Sequence, residues 1–256
     1  VSATDVAGNT TSGFTTISGG SVTVDQTAPA SQQVGAVLTT GGTVVAAYWN
    51  STNTAMTMAV PIANDSSLSS GSIQPMVSVN GGGSFVNLGS SVDISSIDAT
   101  QTVTIAAGTL EGITGFAEGD VLQFKAALTD NSGNSTTGTA SGTTLTVDQT
   151  VPTVSFVTSS KSDGSYNSGV SIPVIIIISE TVNVTGTPTL ELETGASDDS
   201  VNYSSGSGGY LLYFNYTVGS GDNSSDLDYT STSALSLNGG TINDAAGNPA
   251  TLTLAS

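Results

Sequence analysis

Short runs of Val, Ile, Thr, Tyr and Phe, bounded by Gly, Asn, Asp and Ser at roughly 8–12-residue spacing, govern what this chain can become. In YLLYFNYTV (Tyr210–Val218), Leu212, Phe214 and Tyr216 share one face. In TLELET (Thr189–Thr194), Leu190 and Leu192 alternate with Glu191 and Glu193, and VLQFKAAL (Val121–Leu128) and TAMTMAVPI (Thr54–Ile62) follow suit. A period of two belongs to strands with one covered face. Helix signals are nearly absent. The run VIIII (Val174–Ile178) reads as a buried strand by its length and β-branching. The expected fold class is all-β, built as antiparallel sandwiches. Abundant Ser, Thr, Gly and Asn and a high net charge pull toward disorder, but the alternating apolar runs outweigh them.

Two phrases repeat. TVDQTAP (Thr23–Pro29) returns as TVDQTVP (Thr146–Pro152), and DVAGN (Asp5–Asn9) returns as DNSGN (Asp130–Asn134) and DAAGN (Asp244–Asn248). Proline breaks a sheet ladder, so the first phrase reads as a last strand followed by a linker. That divides the chain into a strand pair ending a preceding unit (1–25), one full sandwich (26–148) and a second (149–256). No secretory leader is read at Val1, so the chain is expected to be mature or a piece of something longer.

Composition excludes several functions. The 256 residues hold 20 Asp and Glu, two basic side chains (Lys125 and Lys161), no His and no Cys, for a net charge of -18. Two lysines cannot neutralise a phosphate backbone, so nucleic acid is not an expected partner. An anionic membrane surface is disfavoured likewise, and no apolar run approaches the ~20 residues of a spanning helix. Without His or Cys there is no Ser–His–Asp set, no thiolate nucleophile and little basis for a zinc site. Enzymatic activity is not expected.

The stretches AAYWNSTNTAMTMAVPIANDSSLSSGSI and ITGFAEGDVLQF…LTDNSGNSTTG, with SDGSYNSGVSIPV…SETVNVTGTPTLELETG and DLDYTSTSALSLNGGTINDAAGNPATLTL, cover nearly the whole chain in a fixed order. In that order they resemble the tandem bacterial immunoglobulin-like (Big-type) repeats of very large cell-surface and biofilm-associated adhesins. The two units look like different subtypes. The resemblance implies tandem immunoglobulin-like β-sandwiches in series, extracellular display, a spacer or adhesive role, and often calcium at the junctions.

In a sandwich of this type the turn before the last strand lies at the end where the chain enters. Each DxxGN turn is therefore expected beside the linker preceding its own unit. Asp25 should meet Asp130 and Asn134, and Asp148 should meet Asp244 and Asn248. The second core strands end near the same places, at Asp65 and Glu180. Calcium takes 6–8 oxygen ligands, and these eight residues are the candidate ligands of two junction ions. The plain alternative stands beside it: Asp, Gly and Asn are also ordinary turn chemistry, and the linker needs no ion.

Other candidates carry less. DNSSDLD (Asp222–Asp228) lacks the Gly and Glu of a helix–loop–helix calcium loop and reads as a loop into the strand LDYT. SDGSYNSG (Ser162–Gly169) reads as a hairpin turn, and Asp198 and Asp199 as solvent-facing. Glu191 and Glu193 would stand ~6.6 Å apart along a strand, within an inverting glycosidase's range, yet their alternation with leucine points to a wet sheet face. Lys125 reads as outward-facing rather than as a buried residue for self-ligation to Asn. Trp49 and Tyr48 are the candidate platform for surface glycans, against a core role for the tryptophan. Two further functions stay open: a filament or surface-layer subunit that donates residues 1–25 to a neighbouring identical chain, and a carbohydrate-binding module.

Overall fold

The computed structural model describes residues 24–255 and, ahead of them, the backbone of two strands, Ser2–Thr4 and Thr10–Ser12. That strand pair forms an antiparallel sheet of its own. The rest of the expectation for residues 1–25 lies outside the described residues, apart from Val24 and Asp25.

Two hydrophobic cores follow one another along the chain. The first runs from Val34 to Val147 and the second from Ile172 to Leu254. The protein is all-β, with antiparallel sheets stacked face to face. In the first sandwich, one layer pairs Val37–Thr40, Ala55–Ile62 and Ala99–Ala106. The facing layer runs from Tyr48–Asn50 through Leu145–Asp148 and Val121–Thr129 to Ser72–Ser78. Met56, Met58, Val60 and Ile62 on one layer and Leu122, Phe124, Ala126 and Leu128 on the other alternate inward and are buried. Each large side chain so buried stabilises the fold by about 1.5–3 kcal/mol.

Among the described strand ladders, one departs from the antiparallel rule. Tyr48–Asn50 runs parallel to Leu145–Asp148, with Asn50 opposite Asp148. Both strands therefore point to the end where the chain leaves the first sandwich. The loop after Asn50 is thus held beside the linker.

In the second sandwich, Ser171–Thr185 serves three partners. Its first part pairs with Val154–Ser159 and Gly209–Thr217, and after an irregularity between Ile177 and Val182 its end pairs with Thr241–Asn243. The strand Asp199–Ser205 similarly joins Gly209–Thr217 to Thr189–Glu193. Leu212, Phe214 and Tyr216 are buried on one face, as their spacing predicts. The VIIII run is only half covered: Val174, Ile176 and Ile178 are buried, while Ile175 and Ile177 lie on the other face. An antiparallel sheet with one packed face cannot bury consecutive residues.

A short helix, Ala107–Glu111, breaks the strand pattern and has no counterpart in the sequence reading. Among the described residues no helix is long and apolar enough to cross a membrane.

Candidate functional site: the joint between the sandwiches

The two DxxGN turns close with the same hydrogen bonds. In the first, Asp130 Oδ1 accepts from Asn134 N (2.9 Å) and Asp130 Oδ2 from Asn134 Nδ2 (3.0 Å). In the second, Asp244 Oδ1 accepts from Asn248 N (2.8 Å) and Asp244 Oδ2 from Asn248 Nδ2 (2.8 Å). Gly133 and Gly247 sit at φ 90° and 93°, a left-handed conformation that a side chain strains. The five-residue spelling is therefore a turn that locks its own ends.

Each locked turn also holds a linker. Asn134 Nδ2 donates to Asp25 O (3.3 Å), and Ser132 Oγ to Asp25 Oδ2 (3.4 Å). Asn248 Nδ2 donates to Asp148 O (2.9 Å). Asp25 thus stands with Asp130 and Asn134, and Asp148 with Asp244 and Asn248. Asp65 is engaged differently. Its Oδ1 accepts from Ser67 N (2.9 Å) and Ser67 Oγ (2.8 Å), capping the turn Ser66–Leu68. That turn touches the DNSGN turn through Asn131 N, which donates to Ser67 O at 2.9 Å. Oδ1 of Asp65 is thus engaged within its own loop.

Glu180 joins the second set. Burial, then the Asp244 carboxylate, then Asp148 and Glu118, push its carboxyl above the ordinary range. Burial first, then Asp244 and Glu118, push Asp148 the same way. Asp148 and Glu180 therefore both feel the charges of Glu118 and Asp244. Both lysines are spent elsewhere, Lys125 over the Phe85 ring (4.1 Å) and Lys161 over Tyr166 (5.0 Å). At the first joint the balance is opposite: the Asn134 side chain and nearby backbone N–H groups hold Asp130 below the ordinary range despite its burial. As placed, and among the described residues, no three acidic side chains are gathered closely enough to ligate one ion.

Residues that the motifs did not flag complete the joint. Asn50 Nδ2 donates to Ala246 O in the second sandwich (2.7 Å) and to Thr43 O in the first (2.7 Å). Ser51 N donates to Asn248 Oδ1 (2.8 Å). The linker is clamped from the other side, where Gln149 N donates to Glu118 Oε2 (2.8 Å) and Gln149 Nε2 to Glu111 Oε1 (2.6 Å). Asn50 and Glu118 both stand in the adhesin-like stretches, at the end of a strand and in a tight turn. The parallel pairing of Tyr48–Asn50 with Leu145–Asp148 brings Asn50 to the linker, and the antiparallel pairing of Val121–Thr129 with the same strand brings Glu118 there.

The remaining candidates take structural roles. Trp49 is 0% exposed, and its indole N–H donates to Glu111 Oε1 (3.1 Å). A ring with no open face cannot stack on a sugar, so Trp49 is no glycan platform; Tyr48 beside it is half-buried. Glu191 accepts from Thr230 Oγ1 (2.8 Å) and Glu193 from Ser224 Oγ (2.7 Å), tying neighbouring loops to the sheet. Asp222 accepts from the Tyr216 hydroxyl and from Gly219 N, which hold its carboxyl below the ordinary range. Ser162–Gly169 connects the antiparallel strands Val154–Ser159 and Ser171–Thr185. Asp198 is exposed, whereas Asp199 is half-buried.

No protein-family model matches the sequence. No curated protein does either. Among solved structures the chain is similar to the crystal structure of the chicken CNTN1 FN1–FN3 domains, at 11% identity and a TM-score of 0.35. The overlap covers 86% of this chain and 64% of that one. A likeness this distant carries no functional argument, and the joint itself must supply one.

Proposed function

We propose that the chain is a non-enzymatic structural segment of an extracellular bacterial adhesin or fibre, in which sandwiches joined in series act as a rigid spacer. The observation that carries this is Asn248. Its side chain is 0% exposed and hydrogen-bonds its own turn, the linker at Asp148 and the backbone of Ser51 in the preceding sandwich. One residue thus ties together the three pieces whose relative motion would make a joint flexible. A free hinge would leave these groups to water. The sequence resemblance to adhesin repeats supports the extracellular setting, and the strongly acidic surface keeps a crowded array soluble by repulsion.

Calcium fits the second joint by the chemistry of its donors. Glu118, Asp148, Glu180 and Asp244 are hard oxygen ligands without a cationic partner, and two of them already resist ionisation. They would hold the ion, with backbone carbonyls and water filling the shell. The bound ion would supply counter-charge. The protein's own part is to fix the linker through Asn248 and Gln149. Asp25, Asp130 and Asn134 are the corresponding set at the first joint.

Small-angle scattering tests both parts. A long, stiff particle in millimolar calcium supports the spacer, and bending in excess chelator supports the ion. A flexible particle in calcium sinks the spacer reading. An unchanged stiff particle in chelator removes only the ion.

The second reading, a filament subunit, has one observation in its favour. Among the described residues, the strands Ser2–Thr4 and Thr10–Ser12 pair with each other alone, and a two-stranded sheet is marginal until something covers it. A scattering mass well above one chain, lost on deleting residues 1–25, would favour it.

A further inference from the structure

The second joint is a fitted surface as well as a charged one. Ala246 is 0% exposed yet belongs to neither hydrophobic core. What covers it is the end of the first sandwich. Asn50 Nδ2 reaches its carbonyl, and the next residue, Gly247, is so close to that sandwich that an added Cβ would lie 2.8 Å from Val45 Cγ2 and 2.9 Å from Thr43 Cγ2. The contact is pre-shaped from the first sandwich's side. Asn53 Oδ1 accepts from Asn50 N (2.9 Å), and Asn50 Oδ1 accepts from Thr52 N (3.0 Å) and Thr52 Oγ1 (2.8 Å). The Asn50 amide group is thereby aimed outward, with its N–H groups free to bridge Thr43 O and Ala246 O. A carboxamide held at its oxygen leaves little freedom in the donor direction.

We propose that Thr43, Val45, Asn50 and Ser51 form a receptor for one kind of partner, an Asp-Xaa-small-Gly-Asn turn on the sandwich that follows. The receptor reads three features of that turn: a carbonyl for Asn50, the Asn side-chain oxygen for Ser51 N, and the absence of bulk at the positions of Ala246 and Gly247. It fixes which sandwich can follow this one, and calcium adds counter-charge without replacing the fit. The turn of the first sandwich has Ser132 and Gly133 at the matching places, so a serine satisfies the same rule. The inference rests on the rigid-spacer reading and goes further by assigning the rigidity to named contacts.

The chain has no Cys, so the double substitution Thr100→Cys and Thr217→Cys places one spin label on an exposed strand position of each sandwich. Distance distributions are then measured by pulsed dipolar spectroscopy on the full chain in saturating calcium. The expected result is a narrow peak for the parent and for Ala246→Ser, and loss of that peak for Ala246→Arg and for Asn50→Ala. The last two changes lie on opposite sides of the contact, and the unfolding temperature of each sandwich reports whether it remains folded. Narrow peaks in both Ala246→Arg and Asn50→Ala would overturn the receptor and leave the spacer standing on ion and linker alone. A broad distribution in the parent would overturn the spacer reading and the receptor with it.

Discussion

The turns Asp130–Asn134 and Asp244–Asn248 have the same internal hydrogen bonds, the same left-handed glycine and the same grip on the linker that precedes them. They differ in what lies over them. Ala246, Gly247 and Asn248 are buried under the first sandwich's Asn50 loop, whereas Asn131, Ser132 and Gly133 are exposed. Electrostatics diverge in step. Asp130 is satisfied by donors and ionises readily, while Asp148 and Glu180 are crowded by other carboxylates and resist it. One short phrase can thus be a self-sufficient turn in one setting and half of an interface in another. The turn is local chemistry, and the joint is made by the neighbour.

The largest effect expected from this difference is in the asparagines. Asn248→Ala strips donors and an acceptor from a site closed to water, taking the Asn248 partner from Asp244 Oδ2, Asp148 O and Ser51 N while the backbone bond to Asp244 Oδ1 remains. Unpartnered buried groups cost about 1–3 kcal/mol each, so a loss of about 3 kcal/mol, roughly 10–20 °C in the unfolding midpoint of the second sandwich, is expected by calorimetry. Asn134→Ala removes matching bonds where water can replace them and should cost about 1 kcal/mol. Equal losses at the two positions would mean that the cover over Asn248 contributes nothing.

Acidity should then move the joints in opposite directions. Asp148 and Glu180 have raised folded-state pKa values, so their contribution is fully present below the unfolded value and is lost as pH rises through the folded one. Without calcium, the second joint should firm as pH falls from neutral toward the ordinary carboxylate range near about 4. Asp130 has a lowered folded-state pKa, so its contribution is present above the unfolded value and is lost as pH falls through the folded one. The Asp130–Asn134 turn should therefore weaken only at the acid end. Hydrogen-exchange protection of Asn134 N and Asn248 N, followed against pH in chelator, reads both. Glu180→Gln should firm the calcium-free second joint at neutral pH and weaken its response to added calcium. If Glu180→Gln leaves both unchanged, the carboxylates do not act as a group.

Much of this was legible in the residues. The alternation of Leu212, Phe214 and Tyr216 shows which side faces the core, because a strand has only two faces. The repeated phrases bring Asp148 to Asn248 and Asp25 to Asn134, because the last turn and the entering linker share an end in any such sandwich. Asn50 and Glu118 were not legible as joint residues. Each looks like ordinary loop polarity; the parallel pairing of Tyr48–Asn50 with Leu145–Asp148 sets Asn50 beside the linker, and the antiparallel pairing of Val121–Thr129 with Leu145–Asp148 sets Glu118 there. Asp65 is legible only in part: the sequence brings it to the correct end, and the donors its own loop supplies to Oδ1 show only in the fold. The half-exposed Ile175 and Ile177 show that hydrophobic content alone does not tell how many faces of a strand are covered.

The smallest effect separates the two linkers themselves. Gln26 and Gln149 hold the same place in the DQT phrase, and Gln26 is exposed. Gln149 is clamped by Glu111 and Glu118 of the sandwich behind it, so Asp148 faces forward to Asn248 while Gln149 faces back. Its side-chain contact to Glu111 is charge-assisted but open to solvent, which limits Gln149→Ala to about 0.5–1 kcal/mol. The backbone bond to Glu118 survives that change, so the joint should remain docked while its linker frays, seen as faster proteolysis between Asp148 and Pro152. Gln26→Ala should alter neither stability nor cleavage. If Gln26→Ala weakens the protein as much as Gln149→Ala, the clamp on Gln149 is not what distinguishes the linkers.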